Sequence, residues 1–427
     1  MTEKTDWTGR RFETEVGPVA HGGHCVARVA GRVVFVRHAL PGERVVVLVT
    51  EDRGGSYCRA DAVEVLTASP DRVAPPCPFA APELGTRRCG GCDWQHAAWP
   101  AQRELKAAVV AEQLHRLAGV DRPVEVEPLP GGPLGWRTRT RLAVDRAGRP
   151  GLRVHRSHQV LAVDHCPITV PGALDEVLER RWTPGGEVEV TRDANGHNHV
   201  SELRPERGGR PGGGSRAGGR TAARATPHRV SGGDVAEERA AGRTWRVAAH
   251  GFWQVHPAAA DVLARTVGQW AEAPAGGCAW DLYGGVGLFA AVLADQVGRD
   301  GAVLLVESSR RAVADAERNL ADLPQVRAHA DRVERALASA ELTGPGSAWA
   351  SPDVVVLDPP RKGAGHAVVD AVAGRAPARV VYVACDPAAL ARDVARFGEH
   401  GYRLTELRAF DAFPMTHHVE CVALLTR

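Results

Sequence analysis

Long apolar runs are absent from this chain of 427 residues. No stretch approaches the roughly 18 consecutive apolar residues of a membrane-crossing helix. The N-terminus is polar and charged, so neither a membrane span nor a secretory signal is expected, and the cytoplasm is the expected location. Net charge of one sign is also missing: 53 Lys+Arg against 51 Asp+Glu leaves +2, so bulk charge calls for neither a nucleic acid nor a membrane partner. Lysine is confined to Lys4, Lys106 and Lys362, and arginine carries the remaining cations. Its planar fork suits phosphate and base recognition, although a genome-wide coding bias produces the same excess. What is present is ordinary for a globular protein, with 44% hydrophobic and 24% charged residues, which excludes wholesale disorder. The length suggests two to four domains.

Three textures follow one another along the chain. Residues 10–67 read as short valine-rich strands broken by glycine turns, a spacing that suggests a small closed barrel. Arg28, Arg32, Arg37 and Arg44 are interleaved with it. Residues 70–245 begin with a loop rich in Pro, Gly and Cys, continue with a helical period through Leu105, Val109, Leu114 and Leu117, and become mostly strand between 135 and 200. Within them, 204–242 reads as a flexible insertion, because 207–220 is almost entirely Arg, Gly, Pro and Ser. From 246 to 427 strands alternate with helices, which predicts a doubly wound α/β sheet and places the chemistry at the carboxyl ends of its strands.

Those strand ends carry distinctive residues. Asp281-Leu-Tyr-Gly-Gly-Val-Gly287 ends one strand and opens a helix, where glycines let a ligand lie against the backbone. The dinucleotide pattern G-x-G-x-x-G is absent, since Gly287 is followed by Leu288, Phe289 and Ala290. Glu307 closes the next strand, placed for the hydroxyls of a ribose, so S-adenosylmethionine (SAM) fits as well as NAD. Asp358-Pro-Pro-Arg-Lys-Gly363 follows a buried strand, and its prolines hold the carboxylate at the sheet edge. Cys385 ends the next strand just before a helix, where the helix N-terminus and a nearby arginine are expected to lower its thiol pKa. His417-His418-Val-Glu420-Cys421 enters the last strand and brings a carboxylate. A cysteine, a late glutamate and a SAM-like pocket define methyl transfer to C5 of a pyrimidine. Thiolate addition at C6 makes C5 nucleophilic, and a base then removes the C5 proton. Cys385 is the expected nucleophile and Glu420 the expected base.

With these motifs the chain resembles the RNA (uracil-5)-methyltransferase family over nearly its whole length outside the Arg/Gly run. The nucleophile motif matches at 384–393, the terminal His-Val-Glu at 418–420, and a Phe-x-Gln-Val-Asn motif at Phe252-Trp-Gln254-Val-His256, with His in place of Asn. The resemblance implies that Gln254, Tyr283, Glu307 and Asp358 contact SAM, with Asp331 a further candidate for the adenine. It implies an N-terminal OB-like TRAM barrel for RNA, carried by Gly22-Gly23, Phe35-Val36 and Leu40-Pro41-Gly42-Glu43-Arg44-Val45. The catalytic domain is then a Rossmann-like class I SAM-dependent methyltransferase, and a small α+β domain lies between the two.

Nine cysteines in a reducing compartment point to metal or catalysis and away from disulfides. Cys89-Gly-Gly-Cys92-Asp-Trp-Gln-His has the two-residue gap of a metal knuckle, with Cys77 upstream and Cys166 downstream. Four thiolates suit zinc or a [4Fe–4S] cluster, and spacing does not separate them. The resemblance favours iron–sulfur, because a subset of the family carries Cys-Gly-Gly-Cys-x-x-Gln-His with such a cluster. Cys25, Cys58, Cys278 and Cys421 read as packing residues. Barrel and cluster together resemble the family's 23S rRNA enzymes more than its tRNA enzymes, so 23S rRNA is the expected substrate and tRNA the alternative. An RNA-binding protein with a vestigial catalytic half is the lower alternative, and the presence of Cys385 and Glu420 speaks against it. No protein partner is indicated, and a monomer is expected.

Overall fold

The computed structural model describes residues 6–205 and 227–427, so the Arg/Gly-rich run lies outside the described residues. Strands β1 (Arg11–Glu15), β2 (Val19–Ala20), β3 (His24–Val29), β4 (Arg32–Arg37), β5 (Arg44–Asp52) and β6 (Tyr57–Thr67) form one sheet in the order β1-β5-β6-β4-β3-β2. Pairing of β5 with β6 shifts register at three places, and such bulges bend a sheet towards closure. Alternate residues of β5 point inward, so Val45, Val47 and Val49 join Val34, Val36 and Leu40 in a core of branched side chains.

Helix α1 (Trp99–Ala118) stops at Gly119, whose left-handed φ of 63° lets its N–H close the last turn. It belongs to two cores. Val109 packs with the barrel, whereas Val110 and Leu114 pack with the C-terminal sheet. Next come β7 (Val126–Pro128) and a second six-stranded sheet, β8 (Arg139–Val144), β9 (Pro150–Arg153), β10 (Val160–Ala162), β11 (Glu187–Arg192), β12 (Asn198–Leu203) and β13 (Pro227–Ser231), with α2 (Asp175–Glu179) beside it. Hairpin β14 (Val235–Ala240) and β15 (Arg243–Ala248) follows, with Trp245 buried in the C-terminal core. The described part of the segment expected to be a flexible insertion is therefore largely strand.

The C-terminal sheet holds eight strands in the order β18-β17-β16-β19-β20-β22-β21-β7. They are β16 (Cys278–Leu282), β17 (Ala302–Glu307), β18 (Val326–Ala330), β19 (Val354–Leu357), β20 (Arg379–Ala384), β21 (Arg403–Asp411) and β22 (Glu420–Thr426), with β7 pairing at the far edge. Strands β16, β19 and β20 are near-continuous apolar runs, as expected where helices cover both faces. Helices α3 (Ala259–Ala271), α4 (Leu288–Val297) and α5 (Arg310–Asn319) lie along it, followed by α6 (Val333–Ala338), α7 (Ala340–Thr343), α8 (His366–Ala373) and α9 (Pro387–Glu399). Among the described residues no helix is long and apolar enough to cross a membrane.

Candidate active site

Strand β16 pairs in parallel with β17 on one side and β19 on the other, so chain order reverses there and a crevice opens at the carboxyl ends. Parallel strands deliver their ends to one edge, which collects the 283–287 turn, Glu307, Asp358 and Cys385. Strand β22 runs the other way, with Cys421 opposite Ala384, so its first residue Glu420 meets Cys385 at that edge. The structure thus brings Glu307, Asp358, Cys385 and Glu420 into one electrostatic neighbourhood.

On the β16 side, Asp281 is fully buried; its Oδ2 accepts from Ala290 N at 2.8 Å and its Oδ1 has no partner. Burial, with Asp358 and Glu307 nearby, pushes its carboxyl up to about 8. Two of the loop glycines are demanded by packing. A Cβ on Gly284 would lie 2.7 Å from Leu305 Cγ, and one on Gly287 would lie 2.6 Å from Leu320 Cδ1. Tyr283 takes a left-handed φ of 65°, an unusual conformation for a bulky residue and a common one at ligand sites. Glu307 turns one carboxylate oxygen back to Ser309 N at 2.6 Å. An orphaned acid, a tight glycine turn and a strand-end glutamate suit a ligand carrying hydroxyls and positive charge, as SAM does. Asp331 is engaged with Arg335 at 2.5 Å and with its own following N–H.

Gln254 sits half-buried on the loop before α3. Val255 O anchors this loop by accepting from Thr138 N and Thr138 Oγ1, both at 2.9 Å. His256, where the family pattern has Asn, is buried and stacks on Trp136, with ring centres 6.0 Å apart. Burial lowers it to about 4, so the ring is neutral; Nδ1 accepts from Ala258 N, while Nε2 has no partner.

Cys385, the expected nucleophile, differs from expectation in the direction of its thiol pKa. Burial first, then Glu420 and Asp358, push the Cys385 thiol up to about 12, and Arg361 only partly offsets them. The predicted lowering by the helix N-terminus is overridden because the thiol is half-buried among acids. Glu420 is buried and held well above the usual carboxyl range by lost hydration and by Asp358. Asp358 is itself raised to about 7 by burial and Glu307.

Supporting groups fix these strand ends. Asp393, buried on α9, accepts from Tyr382 Oη at 2.5 Å and from Ala364 N at 2.7 Å, which holds the loop after Asp358-Pro-Pro. Asp386 caps α9 through Ala389 N at 2.8 Å. The loop after β21 is pinned from outside the sheet, since Gln102 Oε1 accepts from Met415 N at 2.8 Å and Asp93 Oδ2 bonds His417 Nδ1 at 2.7 Å. Arg361 donates to His418 Nε2 at 3.2 Å, and burial keeps that imidazole neutral, near 3. Arg361 and Asp393 both lie inside motifs noted in the sequence, where their company with strand-end acids was the available signal.

Cys77, Cys89, Cys92 and Cys166 line one apolar pocket together with Phe79 and Ile168. Gln95 bridges two of them, donating to Cys92 Sγ at 3.2 Å and accepting from Cys77 N at 3.1 Å. Burial raises Cys77, Cys89 and Cys92, Cys89 to about 11. Among the described residues no group of three or more His, Cys, Asp or Glu is arranged to hold a single metal ion. The four-cysteine site expected for an iron–sulfur cluster is therefore not assembled among the described residues as a metal-holding group. Cys25, Cys58, Cys278 and Cys421 are buried in cores.

Residues 249–427 match the family model described as tRNA (Uracil-5-)-methyltransferase, and residues 8–63 match the TRAM domain. An uncharacterized RNA methyltransferase of Streptomyces avermitilis is 48% identical, with 98% of each chain covered. Another, of Bifidobacterium longum, is 39% identical over 98% of each chain. Among solved structures, the Pyrococcus abyssi tRNA (uracil-54, C5)-methyltransferase in complex with S-adenosyl-L-homocysteine shares the fold. Its TM-score is 0.69 at 23% identity, over 97% of this chain and 100% of that one.

Proposed function

The chain belongs to the TRAM-containing, SAM-dependent RNA (uracil-5)-methyltransferases, and from that premise we propose that Cys385 is the nucleophile and Glu420 the base in methylation of C5 of a uridine in RNA. The observation that carries this reading is the placement of Cys385 and Glu420 at one edge of adjacent antiparallel strands, beside Asp358. SAM, when bound, supplies an electrophilic methyl group on a positively charged sulfur. Gln254, Tyr283, Glu307 and Asp358 would hold it, with Asp281 Oδ1 a further acceptor at the turn.

The thiol first loses its proton to solvent, and the sulfur forms a bond to C6 while the C5=C6 electrons move onto the O4 enolate. C5 then takes the methyl group, the broken carbon–sulfur bond leaving its electron pair on sulfur so that a neutral thioether departs. The Glu420 carboxylate removes the C5 proton, the double bond re-forms and the thiolate leaves. Glu420's raised pKa makes its ionised form the stronger proton acceptor, and positive charge in this acidic pocket favours that form. Arg361, beside both groups, acts in the same direction.

For the RNA, transfer RNA is the leading reading. The family model over 249–427 bears that substrate in its description, as does the archaeal structure of the same fold. It takes precedence over the 23S rRNA expected from barrel and cysteines, which becomes the alternative. Cys77, Cys89, Cys92 and Cys166 would hold an iron–sulfur cluster, a group larger than a single ion. What supports this reading is that all four cysteines line one pocket. The cluster would supply structural support beside the loop after β21, which leads to Glu420 and is the catalytic loop in this reading, and methyl transfer requires no electron from it.

The test is a covalent trap with 5-fluorouridine-substituted tRNA and 23S rRNA transcripts in the presence of SAM. Fluorine at C5 cannot leave as a proton, so the enzyme should stall as a denaturation-resistant adduct mapping to Cys385. A tRNA adduct supports the leading reading, and an adduct with rRNA alone moves the substrate to the ribosome. Absence of an adduct with either RNA, from protein that binds SAM, overturns the proposal.

A further inference from the structure

The barrel reaches into the catalytic centre. Its turn between β2 and β3 carries His21, Gly22 and Gly23, and these line a small pocket together with Cys385, Asp386 and His418. Gly23 is pressed so closely on the catalytic loop that a Cβ there would lie 2.7 Å from His417 Cβ, and Gly23 O accepts from Trp94 Nε1 at 3.1 Å. His21 Nε2 lies 3.0 Å from Asp386 Oδ2. Asp386 is therefore held from two sides, by the α9 backbone at Oδ1 and by the barrel at Oδ2. The peptide held in this way directly follows Cys385.

We propose that His21 is a positioning residue for methyl transfer: through Asp386 it fixes the start of α9 from which Cys385 projects, so the RNA-binding barrel completes the active site as well as tethering RNA. The inference rests on Cys385 being the nucleophile. Asp386 also contributes negative charge beside the Cys385 thiol, and a protonated His21 offsets it. The other charged groups near His21 are Arg392 on α9 and Glu112 on α1, one of each sign. A barrel that only tethered RNA would need no contact with the residue after the nucleophile.

The test compares His21→Ala and His21→Gln with wild type in the full-length protein by two measurements. The first is steady-state methylation of tRNA. Because small misplacements of a nucleophile are costly, His21→Ala should lower kcat about tenfold or more with little change in KM for RNA. His21→Gln, which can still donate to Asp386, should recover most of it. The second is backbone hydrogen exchange in the RNA-free protein, where residues 386–390 should exchange faster in His21→Ala and at the wild-type rate in His21→Gln. A loss confined to KM, equal behaviour of Gln and Ala, or unchanged exchange at 386–390 overturns the proposal. If wild type methylates no uridine, the reading of the reaction fails, and the exchange measurement still decides whether His21 holds this helix start.

Discussion

The ammonium of Lys106 lies 2.5 Å from Asp411 Oδ1 with both side chains wholly buried. Trp99 Nε1 donates to the other oxygen of Asp411 at 2.7 Å, and Lys106 also donates to Phe413 O at 3.0 Å. The pair joins α1, the helix shared by two cores, to the end of β21 from which the catalytic loop departs. Removing one partner strands a charge in the interior, which costs about 3–5 kcal/mol. Lys106→Met should therefore lower the unfolding midpoint in urea substantially. The double variant Lys106→Met/Asp411→Leu should recover much of the loss, because an apolar pair leaves no uncompensated charge. Equal midpoints for Lys106→Met and wild type would refute this account.

Glu420→Gln separates the two chemical roles. If Glu420 removes the C5 proton, its loss leaves addition and methylation possible but blocks elimination. The variant should accumulate a denaturation-resistant adduct with ordinary uridine RNA and SAM, visible on a denaturing gel. Turnover should fall by about 10²–10⁴-fold, the usual contribution of a positioned base. Cys385→Ala should form no adduct with either uridine or 5-fluorouridine RNA, yet bind SAM like wild type.

Much of this site was legible in the sequence for a topological reason. Asp281, Glu307, Asp358 and Cys385 each end an apolar run, and a parallel sheet sends such ends to one edge. Contacts between distant segments were not legible. Lys106 and Asp411 are 305 residues apart and His21 and Asp386 are 365 apart, with no local pattern to announce either pair. The direction of the Cys385 shift was missed for a related reason. A helix N-terminus is visible in sequence, whereas burial among Glu420 and Asp358 is a property of the assembled fold. Strands β13 and β14 were hidden by the Arg/Gly-rich composition just before them.

The acidic cluster should make the SAM-free protein less stable as pH rises. Burial lifts Asp281 to about 8, against 3.8 for the free group. Between those values the folded state holds a proton that the unfolded chain has released, so stability falls as pH rises from about 4 to about 8 and levels off above. Asp358, lifted to about 7, acts in the same direction. Asp281→Asn removes one such group and should flatten the decline in Tm between pH 5 and 8, an effect of the order of a few kcal/mol. An unchanged pH slope in that variant would show that Asp281 ionises freely in the folded protein.

The four pocket cysteines make the last prediction. Protein purified without oxygen should contain iron and acid-labile sulfide in near-equal amounts, with broad visible absorbance, and Cys89→Ser should lose both. Cys89 and Cys92 lie beside Asp93, whose N–H, with that of Trp94, donates to Met415 O at 2.9 and 3.0 Å. If these thiols hold a cluster, its damage should therefore reach the loop after β21 through this strap before it reaches the proposed SAM crevice on the far side of β20. On exposure to air, colour and RNA affinity should be lost together while SAM affinity persists. Protein that is colourless as isolated and carries one zinc per chain would overturn the iron–sulfur assignment, and simultaneous loss of SAM and RNA affinity would overturn the order proposed for the damage.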